Sequence, residues 1–310
     1  MKEIFVNLKR FDVPRAMGGV CQEENPKVWI ENIVSKCIEL GIGTLEGMMV
    51  VMMVPEALVI PAIEKYNSYP EEQRRTFALG VEGVYREDVA VGGNFGALTT
   101  HLPAAAAANM GCKGVLVGHC EERRAKQNVM GRVLPNWNED LDTRKKVLHA
   151  VDTIINEEIM AAFNRELNVV LCIGETAEER GEGALEEVKE NVKAVLKAQL
   201  ETGLKGVKAY LADRKIAIAY EPIWAIGPGK TPPNAEYIAF VSAYIKEAVQ
   251  EIYGFDIPVV YGGGLKEENA KMISDIATVD GGLVALTQFS GEIGFYAEDL
   301  RKIIDKYMEV

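Results

Sequence analysis

Apolar residues fall in short continuous runs that alternate with longer stretches of helical periodicity from one end of the chain to the other. The runs predict strands at 3–8, 48–54, 76–81, 113–117, 168–173, 215–220, 257–261 and 281–286. The stretches between them predict helices near 27–40, 56–66, 103–110, 141–165, 183–203, 234–253, 266–275 and 297–308. Near-continuous apolar strands read as parallel strands buried on both faces, under helices. Eight strand–helix units in alternation give an α/β architecture. They suggest a closed (β/α)8 barrel, with an open doubly wound sheet as the competitor. No Pro/Gly/Ser linker or shift in composition interrupts the order, so residues 1–310 are expected to form one domain.

A chain of 310 residues exceeds the roughly 250 typical of such a barrel. The excess is expected in three long loops, 10–26 after strand one, 84–101 after strand three and 125–140 after strand four. Each follows a strand and so belongs to the face of a barrel where active sites are built.

Charge and composition narrow the function classes. A net charge of −12 argues against a nucleic-acid or anionic-membrane surface, while a small anion can still be held at one local positive site. No apolar run reaches the length of about 18 residues that a membrane span needs, and Met1–Asn7 reads as a strand instead of a signal peptide. Five cysteines, odd in number and without a C-x-x-C pair, fit reduced thiols in a cytoplasm. Neither a metal site nor a cofactor is expected.

The candidate chemistry sits at strand ends. The sixth strand delivers Glu221, and Pro222 fixes the backbone directly after it. The following loop carries Trp224, Gly227, Gly229, Lys230 and three prolines, so its glycine amides can approach an anion between stiffened ends. Gly229-Lys230-Thr231 looks like the end of a nucleotide-binding P-loop, but Trp224 stands where that motif requires its first glycine. Lys9 closes strand one and His119 closes strand four. In a closed barrel all three side chains meet at one mouth. There a carboxylate can remove a proton α to a carbonyl, a neutral imidazole can polarise the oxygen, and an ammonium can stabilise the enediolate. A lid would keep water from that intermediate. His101, in the third long loop, reads as structural or interfacial, and His149, inside a helical run, as a surface residue.

These residues carry a resemblance that runs collinearly through almost the whole chain. Asn7-Leu8-Lys9, Gly96-Ala97-Leu98-Thr99, Gly118-His119-Cys120-Glu121, Cys172-Ile173-Gly174-Glu175, Tyr220 through Thr231, Tyr261-Gly262-Gly263 and Val279-Asp280-Gly281 resemble signatures of the triosephosphate isomerase family. The resemblance implies a TIM barrel with Glu221 as the base, His119 as the electrophile and Lys9 as the electrostatic partner of substrate oxygen. It also implies Asn7 as a polar support, Glu121 as the partner that orients Lys9, Trp224 and Lys230 as lid hinges, and a Gly227 amide that meets substrate on closure. A homodimer through residues 84–101 and a small sugar phosphate as the ligand follow in the same way.

The departures gather at the distal end of the substrate. Gly262-Gly263-Gly264 stands where the family has Gly-Gly-Ser, and Ala285-Leu286-Thr287-Gln288-Phe289 stands where its Gly-Gly-Ala-Ser amides hold phosphate at a short helix start. Cys120 replaces a hydroxyl, Glu122 stands where the family has Arg, and Pro228 stands where Thr is usual. The expected activity is aldose–ketose isomerisation of glyceraldehyde 3-phosphate and dihydroxyacetone phosphate or a related short sugar phosphate. A different substrate, such as a four-carbon sugar phosphate, is the alternative, with Arg10, Arg15 or Thr287 as replacement anion contacts. A non-catalytic sugar-phosphate-binding barrel is the reading from another class.

Overall fold

A computed structural model describes residues 1–227 and 229–309. Its strands are β1 (Lys2–Asn7), β2 (Met48–Val54), β3 (Phe77–Val81), β4 (Gly114–Val117), β5 (Asn168–Ile173), β6 (Ile216–Tyr220), β7 (Val259–Tyr261) and β8 (Gly281–Val284). They lie in sequence order in a closed parallel barrel, with β8 paired back onto β1 from Glu3↔Gly281 to Val6↔Val284. The helices are α1 (Pro26–Glu39), α2 (Val59–Asn67), α3 (Ala104–Met110), α4 (Cys120–Val133), α5 (Leu141–Phe163), α6 (Ala177–Arg180), α7 (Leu185–Gly203), α8 (Ala235–Tyr253), α9 (Glu267–Ser274) and α10 (Ala297–Met308).

Local chemistry sets the helix starts. Asn25 accepts a hydrogen bond from the Lys27 amide at 3.0 Å, and Pro26 occupies the first helical position, so α1 begins there. Asp140 and Asn234 cap α5 and α8 through the Thr143 and Tyr237 amides at 2.8 and 2.9 Å.

Strand parity positions the site. Alternate residues such as Ile4, Val6, Ile216, Ile218 and Tyr220 face the helices, while Phe5, Met53, Leu116, Val170, Cys172, Ala217, Ala219, Val260 and Leu283 pack together inside the barrel. Continuing that alternation past each strand end turns Asn7, Glu82 and Glu221 toward the mouth. Gly174 allows this at β6, because a Cβ there would lie 1.8 Å from the Glu221 carbonyl oxygen.

One loop expectation is corrected. Residues 125–140 are not an open loop: α4 continues through Val133, and only 134–140 connect it to α5. The reason is that α4 lies on the surface with Arg123 as its buried side chain, so it has no apolar stripe to reveal it. At the eighth strand, pairing ends at Val284, two residues before the predicted end.

On the wall of the cleft that Lys9 and His119 also line, α4 and α5 share a largely buried polar cluster. Lys126 bonds Glu122 and lies 2.9 Å from Glu158, which is 5% exposed. Burial and the neighbouring Glu122 carboxylate push the Glu158 pKa up to about 9, whereas an ordinary carboxyl titrates near 4.5. The folded state therefore binds this proton more tightly, so its stabilising contribution is full below pH 4.5 and is lost as pH rises through about 9. A Glu158→Gln variant, which cannot ionise, is expected to lose less thermal stability than the wild type between neutral pH and about 10. Melting curves across that range check this, and parallel slopes for the two proteins would contradict it.

Candidate active site

Glu221, 2% exposed, directly follows β6, while β4 passes through Gly118 into His119 and the first turn of α4. The two meet closely. His119 Nε2 lies 3.0 Å from Glu221 Oε1, and the Cys120 amide donates to Glu221 Oε2 at 3.0 Å. The backbone amide of residue 120 thus holds the carboxylate, whatever its side chain.

The tautomer of His119 follows from its other nitrogen. Nδ1 accepts the Glu121 amide at 3.2 Å, making His119 the cap of α4, so the ring proton lies on Nε2 and faces Glu221. Burial disfavours a charge on the ring, and the Glu221 carboxylate favours it, raising its proton affinity. The positive end of α4 and the bond into Nδ1 oppose a second proton on the ring, against the pull of the Glu221 carboxylate.

Across the mouth, Lys9 Nζ lies 2.8 Å from Glu121 Oε1. Burial alone would raise the Glu121 pKa, but Lys9 holds it below the ordinary carboxylate range. Lys9 has a φ of +47°, in the left-handed region, and its amide donates to Asn7 Oδ1 at 3.1 Å. Asn7 is buried, so it fixes an unusual backbone that aims the ammonium inward.

The loop after β6 is anchored at its start. Glu175, fully buried, accepts from Tyr220 and Trp224 at 2.8 Å and from Tyr237 at 2.9 Å, and Arg180 stacks over Trp224 at 4.5 Å. Beyond this anchor Ile226, Gly227, Gly229 and Lys230 are exposed, and Pro228 lies outside the described residues. Gly263 is buried behind Tyr261, whose hydroxyl donates to its carbonyl at 3.1 Å. Gly264, with a φ of +93°, faces open space, and Ala285 and Leu286 are half-buried just past β8. In place of a short helix, Gln288 pairs with Gly294 in a hairpin.

The candidate replacement contacts are already engaged. Arg10 binds Asp12 at 3.0 and 2.8 Å, Arg15 binds Glu292, and Thr287 accepts the Tyr296 amide at 2.8 Å. Of Arg123 and Arg124 in this segment, Arg123 is buried and bonds Asp152 and the Gly118 and Cys172 carbonyls, while Glu122 accepts the Gly118 amide at 2.6 Å. His101 stacks on Tyr85 at 3.8 Å, and the exposed His149 meets Thr202 at 3.2 Å.

Two acids were not singled out from sequence. Glu175 was read only as part of a matched run. Glu82, directly after β3, lines a mouth cleft of 1050 Å³ with Lys9, Arg10 and His119. Burial pushes its pKa up to about 8 against the lowering effect of Arg10, and its Oε1 has no hydrogen-bond partner. Its signal was available, since it leaves β3 as Glu221 leaves β6.

Comparison with known proteins shows the family of the chain. The family model described as "Triosephosphate isomerase" matches residues 46–305. A curated triosephosphate isomerase of Chloroherpeton thalassium is 33% identical over 67% of this chain and 70% of its own length. That of Oleidesulfovibrio alaskensis is 33% identical over 74% and 76%. The crystal structure of triosephosphate isomerase from Bartonella henselae has a TM-score of 0.67 over 99% of both chains at 22% identity, a likeness of fold. The chain belongs to the triosephosphate isomerase family and is an isomerase of that type.

Proposed function

We propose that the chain interconverts the aldose and ketose forms of a short sugar phosphate through an enediolate, with glyceraldehyde 3-phosphate and dihydroxyacetone phosphate as the first pair. The observation that carries this reading is the contact of His119 Nε2 and the Cys120 amide with the buried Glu221 carboxylate, His119 lining one cleft with Lys9. Glu221 removes the proton from the carbon beside the carbonyl and returns it to the neighbouring carbon. The electron pair moves onto oxygen, where the His119 N–H and the Lys9 ammonium stabilise it. Asn7 supports Lys9. Trp224 and Lys230 bound the lid, and closure brings the Gly227 amide to substrate and excludes water. Gly263, Gly264, Ala285 and Leu286 line the distal end.

The rebuilt exit of β8 favours a second reading, a four-carbon sugar phosphate. Ala285 and Leu286 put side chains where glycines would let amides approach an anion. Steady-state assays with triose and tetrose phosphates separate the two. An efficiency on dihydroxyacetone phosphate near the diffusional range of about 10⁸ M⁻¹s⁻¹ identifies the triose pair. A preference for the tetrose overturns it.

The functional unit in this proposal is a homodimer through residues 84–101. Val91 and Phe95 protrude from that loop at 108% and 90% exposure, apolar enough to call for a partner surface. The cleft bordered by Val84, Leu102 and Met130 offers one. A monomeric mass by light scattering at micromolar concentration would refute it.

A further inference from the structure

The loops after β7 and β8 flank the distal end of the mouth, the region of a (β/α)8 barrel where phosphate groups are most often held. Arg10, Arg15 and Thr287 are committed to partners within the chain, as described above. Lys266, two residues past Gly264, is not. Among the described residues its ammonium has no carboxylate partner, in a chain of net charge −12. It rests instead 3.9 Å from the centroid of the Phe289 ring on the β8 hairpin. A cation on an exposed aromatic face is weakly held and exchanges readily for a stronger acceptor. A phosphate oxygen is such an acceptor, because both partners are then charged.

The surroundings keep this lysine in place. Its amide donates to Asn269 Oδ1 at 2.8 Å, and Asn269 Nδ2 donates to the Gly264 carbonyl at 3.0 Å, which pins the loop carrying both residues. The space a side chain on Gly264 would fill, two residues before Lys266, is open. The Phe289 hairpin is held by the long first loop, through Arg15 to Glu292 and through Gln22 to Tyr296. Two segments that depart from the family, the first loop and the β8 exit, thus meet to hold the ring on which Lys266 rests.

We infer that Lys266 is the side chain that takes the distal anion of the substrate, moving from the Phe289 ring onto a phosphate oxygen. The inference rests on the isomerase reading above and adds a specificity-determining residue to it. A charged side chain does at this site what backbone amides do where glycines follow the eighth strand.

The test measures kcat and KM for the phosphorylated substrate that the wild type turns over, together with competitive inhibition by inorganic phosphate. Lys266→Met is expected to raise both KM and the phosphate inhibition constant about tenfold or more while kcat changes less than about threefold. Lys266→Arg keeps the charge and is expected to hold both constants within about threefold of the wild type. Unchanged constants in Lys266→Met, or equal losses in both variants, overturn the inference. Absence of turnover in the wild type on any sugar phosphate would instead remove the isomerase reading on which it stands.

Discussion

Replacing Glu221 by Gln is expected to lower kcat about 10²- to 10⁴-fold, the range that a positioned general base contributes, while KM stays within about threefold. The amide keeps the volume of the side chain but cannot accept the substrate proton. It also offers one acceptor where the carboxylate has two, and the native carboxylate meets both the Cys120 amide and His119 Nε2. One of those contacts is therefore lost, and a modest fall in thermal stability accompanies the loss of activity. Glu221→Asp makes a sharper test of geometry. It retains the charge and withdraws the oxygens by one methylene, and a misplacement of about 1 Å costs on the order of 10²-fold. Steady-state kinetics on both variants check this, and a Glu221→Gln enzyme near wild-type kcat would exclude Glu221 as the base.

The second large effect is expected at Lys9. Lys9→Met removes the ammonium that would face the developing oxyanion, and loss of one such donor typically costs about 10²- to 10³-fold in kcat. The effect has a second part, because Glu121 loses the partner that lies 2.8 Å away. An unpaired carboxylate then remains beside the place where negative charge develops. Folding should be nearly unaffected, since Glu121 is half-exposed and surface ion pairs contribute little to stability. A melting temperature close to the wild type, together with the large loss of kcat, is the expected pair of results. A loss confined to KM would assign Lys9 to uniform binding instead.

The parts of this molecule legible from sequence are those where local pattern and tertiary role coincide. The strands were readable because burial on both faces removes polar residues from the run, and Glu221 stood out as an acid and a proline at the end of such a run. The extent of α4 was unreadable for the opposite reason: it buries Arg123 and no apolar face, so its periodicity carries no signal. Ala285 and Leu286 extended the eighth strand on paper because they are apolar, yet barrel pairing stops at Val284. Lys266 reads only as the start of the predicted helix 266–275, ahead of Glu267 and Glu268. Its lack of a carboxylate partner and its position over Phe289 are properties of the assembled loops. The backbone bond from Cys120 to Glu221 likewise depends on two segments 101 residues apart, and no side-chain substitution would reveal it.

Deuterium incorporation from heavy water, followed by proton NMR, tests the central claim most directly. Dihydroxyacetone phosphate and a four-carbon ketose phosphate are each incubated with the wild type and with Glu221→Gln. The wild type is expected to place deuterium on the carbon beside the carbonyl of at least one of them, and Glu221→Gln to exchange at least about 10²-fold more slowly. No exchange by the wild type into either compound, or equal exchange by the two proteins, would contradict a Glu221-based enediolate mechanism.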